Sequence, residues 1–320
     1  MRQRRLGELT TSALGLGCMG LSQGYGPVDE DDAIALVRSA LDQGVRLLDT
    51  AMSYGQGHNE RLLARAIAGR RDEVTLATKF GIVRTGDGVH LDGRPEHVRG
   101  HCEESLSRLG VDALDLYYLH RVDPEIPVAE TLGAMADLVR EGKVRNLGLS
   151  EVTPGQLEQA VAVHPVAAVQ FEWSLLWRDP ELDLVPAARR LGVGLVPYSP
   201  LGRGLLTATL TPETAPESAF RRDDPRFRGD ELDANLRQAR RLHALAAELG
   251  CTAGQLALAW LLAQGEDVVP IPGTRNLARL AENIAAADLA LSTSDLRSLD
   301  GTTWAGDRRS FAVPATTRRV

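Results

Sequence analysis

Cysteine is scarce: Cys18, Cys102 and Cys251 are the only three in 320 residues, an odd and widely spaced set. They do not make a disulfide framework and read as reduced thiols of a cytoplasmic protein. Positive charge is not in surplus either. The formal net charge is −7 with both signs interspersed, which leaves no basic face for nucleic acid. No apolar run reaches the roughly 18 residues that a bilayer span requires, so no membrane partner is expected. The N-terminus, M-R-Q-R-R-L-G-E-L, is basic but runs into no apolar segment of the signal-peptide kind. The seven histidines are scattered, and no spacing of Cys or His suggests a bound metal. Nor does a polar or proline-rich linker divide the chain, so residues 1–320 are expected to form one domain.

What is present is a rhythm of short apolar runs alternating with helical stripes. The stretch R-L-L-D-T-A-M-S-Y-G-Q-G-H-N-E, residues 46–60, sets the pattern. Residues 45–48 read as a buried strand ending on Asp49, and Tyr54 follows in a glycine-rich turn. A strand at 74–78 ends on Lys79, and one at 114–119 ends on His120. Following a short hairpin near residues 4–12, a first strand falls at 13–17; four more fall at 143–150, 166–171, 194–198 and 267–272. Apolar residues at helical spacing, such as Ile34, Val37 and Leu41, fill the intervals, and Thr153-Pro-Gly-Gln156 is a capping box. One helix is expected over 179–192.

The total is eight strands, each followed by a helix, with an extra helix near 232–249 and another at 292–300. This is the pattern of an α/β fold, a (β/α)8 TIM barrel with an N-terminal β-hairpin and two extra helices. Catalytic groups of such a barrel sit at the C-terminal strand ends. Asp49, Lys79, His120, Ser150, Gln170, Tyr198 and Gly273 hold those ends on strands two to eight.

Gly15-Leu-Gly17-Cys-Met-Gly20 matches the dinucleotide pattern G-x-G-x-x-G, but there the helix must open at once so that its amides meet the pyrophosphate. Here the helix waits until about Asp29, and the glycines are read as a flexible first loop that approaches a ligand closely. Asp49, Tyr54, Lys79 and His120 could each be structural, as a salt bridge, a bonded phenol or a core histidine. Together they form a chemical chain. A phenol with a pKa near 10 becomes a useful acid at neutral pH if a cation lowers it, and a buried lysine needs a carboxylate to stay charged.

The motifs L-L-D-T-A-x-x-Y-G with N-E, A-T-K at 77–79, D-L-Y-Y-L-H at 115–120, G-L-S at 148–150, V-Q-F-E at 169–172, Y-S-P-L-G-R-G at 198–204 and I-P-G-T-R at 271–275 carry a resemblance. Over nearly its whole length the chain resembles an aldo-keto reductase, close to the bacterial and plant barrel reductases and more distantly to potassium-channel β-subunits. The resemblance implies reduction of a small aldehyde or ketone by hydride from NADPH, with Tyr54 as general acid, Lys79 and Asp49 tuning it, and His120 orienting the carbonyl. It places the nicotinamide on Tyr198, its carboxamide at Ser150 and Gln170, and the pyrophosphate along Ser199, Leu201, Gly202 and Arg203. Arg275 and Arg279 would meet the adenosine 2′-phosphate, and Glu282 and Asn283 the adenine, with Gly273 and Thr274 also among the cofactor-binding residues. Met19, Tyr25 and Trp173 would wall the substrate pocket with Trp177, the alternative for Trp173 being a plain core tryptophan.

Two departures stand out. Glu151 takes a place where many members have asparagine, and Gly273 one where others have a phosphate-binding lysine. The basic loop 221–228 is either solvated surface or a cover over the cofactor. A second function is also compatible, an NADPH-sensing regulatory subunit with slow turnover. The resemblance specifies no particular carbonyl compound, no oligomeric state and no role for the tail 301–320.

Overall fold

The structure, a computed structural model, describes residues 1–85 and 88–308. It opens with an antiparallel hairpin, β1 (Gln3–Leu6) and β2 (Leu9–Ser12). The chain then alternates through β3 (Leu16–Gly17), α1 (Glu30–Asp42), β4 (Leu47–Asp49), α2 (His58–Ala66) and β5 (Thr75–Phe80). A second hairpin, β6 (Ile82–Thr85) and β7 (Gly88–Leu91), precedes α3 (Pro95–Leu109) and β8 (Leu116–Leu119). Next come α4 (Val128–Arg140), β9 (Leu147–Ser150), α5 (Pro154–Val163), β10 (Val166–Glu172), α6 (Leu184–Arg190) and β11 (Gly194–Tyr198). The chain continues with α7 (Ala219–Arg222), α8 (Gly229–Glu248), α9 (Ala253–Ala263), α10 (Leu277–Ala285) and α11 (Thr293–Asp300). Among the described residues no single helix is long and apolar enough to cross a membrane.

Seven strands form one parallel sheet in the order β11-β10-β9-β8-β5-β4-β3. The eighth, expected at 267–272, lies in place but without a regular ladder. Val269 and Ile271 donate to Leu195 and Pro197 of β11 at 2.8 and 3.1 Å, and the carbonyls of Pro270 and Pro272 accept from Gly15 and Gly17 at 2.9 and 3.3 Å. Proline has no N–H, so towards β3 only the carbonyl half of each ladder pair exists. The barrel closes there by close backbone approach. A Cβ on Gly17 would lie 2.7 Å from the Ile271 carbonyl oxygen, and one on Gly273 2.9 Å from that of Gly17. The expectation of a flexible, ligand-approaching loop is therefore corrected for Gly15 and Gly17: Gly17 is small because two backbones meet at the seam, and Gly15 because a Cβ there would press on the Ile271 and Leu47 side chains at 2.8 and 3.0 Å.

Side-chain alternation decides what faces the barrel axis. Leu47, Ala77, Leu116, Tyr118, Ala168, Val196, Val269 and Ile271 form an interior cluster, joined by Leu6 of the first hairpin. Their neighbours Leu48, Leu76, Tyr117, Leu119, Val169, Leu195 and Val268 belong to the larger cluster that includes the apolar helix faces. Because successive residues of a strand alternate faces, the inward set continues to Asp49, Lys79, His120, Ser150, Gln170 and Tyr198.

Two other local readings change. The helix expected over 179–192 is a short turn at Asp179–Leu182 followed by α6. Pro186 explains the break: inside a longer helix its ring would clash with the carbonyl four residues back, whereas in the first turn it is tolerated. The second hairpin was not anticipated, although Asp87-Gly88 between I-V-R-T and V-H-L is a turn signal.

Candidate active site

Asp49 ends β4, Lys79 lies next to the end of β5, and His120 follows β8, its amide bonded to the Phe80 carbonyl at 2.8 Å. The Lys79 ammonium is wholly buried and donates to Asp49 Oδ1 at 2.5 Å, the Thr50 carbonyl at 2.7 Å and the Tyr54 hydroxyl at 3.4 Å. It also sits 5.1 Å from the centre of the Tyr54 ring. The His120 ring meets that of Tyr54 edge-on at 5.7 Å. All four members of the expected set are thus brought together.

Burial pulls the Lys79 ammonium down, but Asp49 and then Tyr54 outweigh it, and the group stays above the usual lysine range. Burial pushes the Tyr54 phenol up, and the opposing pull of Lys79 does not cancel it. The expected lowering by the cation is therefore present as a pull and absent as a net result. Burial, aided by Arg121 and Lys79, holds His120 well below the ordinary histidine range, so its imidazole is neutral at pH 7. Its Nδ1 is buried with no hydrogen-bond partner among the described residues.

The turn that carries Tyr54 is held from below. Asn59 accepts from the Thr50 hydroxyl at 2.6 Å and donates to the Cys18 carbonyl at 2.9 Å. Glu60, fully buried, accepts from Thr78 at 2.6 Å and from Arg108 Nε at 2.5 Å. The N-E pair of the motif is thus the anchor of the loop. A cleft of about 470 Å³ opens beside Tyr54, lined by Gln23, Ser53, Gly55, Gln56, Arg84 and Phe220.

Other expected residues fall as follows. Ser150 accepts from Arg121 at 3.1 Å, and the Gln170 amide donates to Asp49 Oδ2 at 2.8 Å, so Gln170 fixes the second oxygen of that carboxylate. Tyr198 ends β11 with its hydroxyl buried and unpartnered among the described residues. In the turn after it, Ser199, Gly202, Arg203 and Gly204 have φ of 49°, 54°, 53° and 97°. Leu201 is half-buried beside them. The Arg203 guanidinium is buried against the Phe220 carbonyl, Asp224 at 3.2 Å and Glu172 at 3.9 Å. Thr274 bonds within its own turn to Asn276, whose side chain caps α10 at the Arg279 amide. Arg275 is exposed and reaches the carbonyls of Gly26 and Pro27 at 3.3 and 3.4 Å. Arg279 is exposed without an ion pair among the described residues. Glu282 accepts from Thr252 at 2.6 Å, and Asn283 is buried.

Trp173 is 1% exposed, bonded to Glu181 at 2.9 Å and packed between Phe171 and Trp260, which makes it the core tryptophan of the two readings. Met19 and Tyr25 are half-buried in the first loop, and Tyr25 packs on Phe220 at 5.7 Å. The basic loop is not merely solvated surface. Arg221 and Arg226 are buried, the first bonded to the carbonyls of Ala215, Arg203 and Thr214, the second paired with Glu172 and Asp224, both at 2.7 Å. Glu151 makes a two-point ion pair with Arg308, which lowers its carboxyl against the effect of burial. No local signal marked this contact, because the partners are far apart in the chain.

A parallel (β/α)8 barrel with a buried acid–lysine–tyrosine chain at the C-terminal strand ends is the class that fold and site define. Within it, residues 13–303 match the aldo/keto reductase family. A probable aldo-keto reductase of Glycine max is 46% identical over 291 residues, covering 90% of this chain and 84% of that one. The chain belongs to the aldo-keto reductase family, whose members are NADP-dependent oxidoreductases acting on carbonyl groups. A glycerol dehydrogenase from Gluconobacter oxydans superposes with a TM-score of 0.86 at 29% identity, over 93% of this chain and 94% of that one. An aldo-keto reductase from Klebsiella pneumoniae, solved with NADP and acetate, gives 0.73 at 29% identity over 93% and 94%.

Proposed function

We propose that this chain reduces aldehyde or ketone carbonyls to alcohols with NADPH, and that Tyr54 is the proton donor. The buried chain Asp49–Lys79–Tyr54, edged by a neutral His120 and set in a turn whose Ser53 and Gly55 line a cleft, carries the reading. A buried ion pair adds little net stability over an apolar pair, so its presence at the mouth supports a chemical role.

The residues present fit the cofactor. Arg275 and Arg279 are exposed, neither is held by a carboxylate among the described residues, and guanidinium groups match phosphate oxygens in geometry. Ser199 and Arg203 hold left-handed backbone at a cost of about 1–3 kcal/mol each, strain of the kind that gathers at ligand clamps. The unpartnered Tyr198 hydroxyl and half-buried ring suit a stacked heterocycle, with Ser150 placed for a carboxamide. When bound, the reduced nicotinamide supplies hydride to the carbonyl carbon.

The protein's own part is proton handling and orientation. Tyr54 gives its proton to the carbonyl oxygen as charge develops there, so the oxygen never carries a full negative charge. Lys79, held charged by Asp49, stabilises the phenolate left behind, and Gln170 keeps Asp49 in register. His120, being neutral, donates one N–H to the same carbonyl oxygen.

Tyr54→Phe removes the donor and little volume. It should lose nearly all reduction of a reactive aldehyde, about a hundredfold or more in single-turnover rate, while its dissociation constant for NADPH stays within a few fold. A variant close to wild type in rate would overturn the assignment of Tyr54. A wild type that binds NADPH tightly yet turns over such an aldehyde only marginally would mark a cofactor sensor instead.

A further inference from the structure

Three metal-competent side chains converge beside the second hairpin, outside the tetrad. Asp92 directly follows β7, and His97 and His101 stand four residues apart on α3, hence on one face. The His97 Nδ1 lies 2.7 Å from Asp92 Oδ2, the His101 Nε2 lies 3.7 Å from the same oxygen, and all three atoms fall within 4.8 Å of one another. Around a tetrahedral ion with bonds near 2.1 Å the donor atoms sit about 3.4 Å apart, so the cluster needs only small side-chain rotations to enclose one.

Two further observations point to a ligand. The His101 Nε2 is buried and lacks a hydrogen-bond partner among the described residues, a state that native proteins relieve with water or an ion. The other Asp92 oxygen, Oδ1, accepts from Arg94 Nε at 2.9 Å, which orients the carboxylate for ligation through one oxygen.

We propose that Asp92, His97 and His101 bind one divalent transition-metal ion of the zinc type, with water in the fourth position. Two imidazoles and a single carboxylate select zinc, cobalt or nickel over calcium or magnesium, which require more oxygen donors. Bound there, the ion ties the strand end of β7 to α3 and braces the hairpin whose Arg84 lines the cleft. Arg94, which also donates to Asp92 Oδ2 at 3.0 Å, is a competing cation.

The test is a cobalt(II) titration of the full chain after chelator dialysis, read by visible absorption and repeated with zinc by calorimetry. One equivalent should bind and develop the visible band of a four-coordinate site. Losing an outer-shell partner of a metal costs about 10–100-fold in affinity, so losing a ligand in His97→Gln or His101→Ala should cost at least that. Should the partly buried His101→Ala misfold, the half-exposed His97→Gln carries the test, with circular dichroism confirming its fold. The absence of saturable binding, or binding that is unchanged in His97→Gln and lost in Cys251→Ser, overturns the proposal.

Discussion

Lys79 concentrates the residue-scale chemistry. An ammonium with no exposure is sustained only because Asp49 is 2.5 Å away and Asp49 is itself tethered by Gln170. The same charge is the largest downward influence on the Tyr54 phenol, which burial has pushed up. On the proposed role, Tyr54 acts as a base in alcohol oxidation, and the rate should rise as pH climbs through the pKa of the phenol. Removing the cation in Lys79→Met removes the downward pull while burial remains, and the alkaline rise should move to higher pH. A pH profile of kcat for oxidation checks this. A rise at the wild-type position would show that the lysine serves only to fill and pair.

At the scale of elements, the seam between β3 and residues 267–272 leads to Arg275, just before the Asn276 cap of α10, and then to Arg279 in the first turn of that helix. Glu282 is occupied by Thr252 and does not compete for Arg275. A charge-assisted hydrogen bond to phosphate is worth roughly 1.5–3 kcal/mol, so Arg275→Ala should weaken NADPH by about one to two powers of ten. NADH lacks the 2′-phosphate and should be nearly indifferent. Dissociation constants from quenching of tryptophan fluorescence measure both. Equal losses for the two cofactors, or a wild type that prefers NADH, would displace the phosphate from this end of α10.

At the scale of the molecule, the long excursion after β11 is pinned to the barrel by buried charges. Arg226 has no exposure, and it joins Glu172 at the end of β10 to Asp224, which also pairs with Arg203. Asn235 of α8 ties the Arg226 carbonyl to that of Ala305 at 3.0 and 2.9 Å, and Arg308 then reaches Glu151. Breaking a buried pair by removing one partner costs about 3–5 kcal/mol, because the remaining charge is left unpaired. Arg226→Met should therefore lower the urea unfolding free energy by about that much and weaken NADPH as the loop loosens. A loss under about 1 kcal/mol, the range of exposed pairs, would show that the network is incidental.

Strand-and-helix alternation, the capping box at Thr153, and Asp49, Lys79 and His120 at successive strand ends were legible in the sequence, because period two, period 3.6 and cap chemistry are local rules. Once Leu47 or Leu116 faces the axis, Asp49 or His120 must face it too. Only the tertiary structure decided which charges meet. The neutral amide of Gln170 holds the Asp49 carboxylate and Arg308 pairs with Glu151, each across more than a hundred residues, while Arg203 and Arg226 reach Glu172 across a loop of irregular path. The reason is physical. Alternation depends on covalent geometry within a strand, whereas the pairing of long, flexible arginine side chains depends on which acids the closed barrel and its loops bury alongside them.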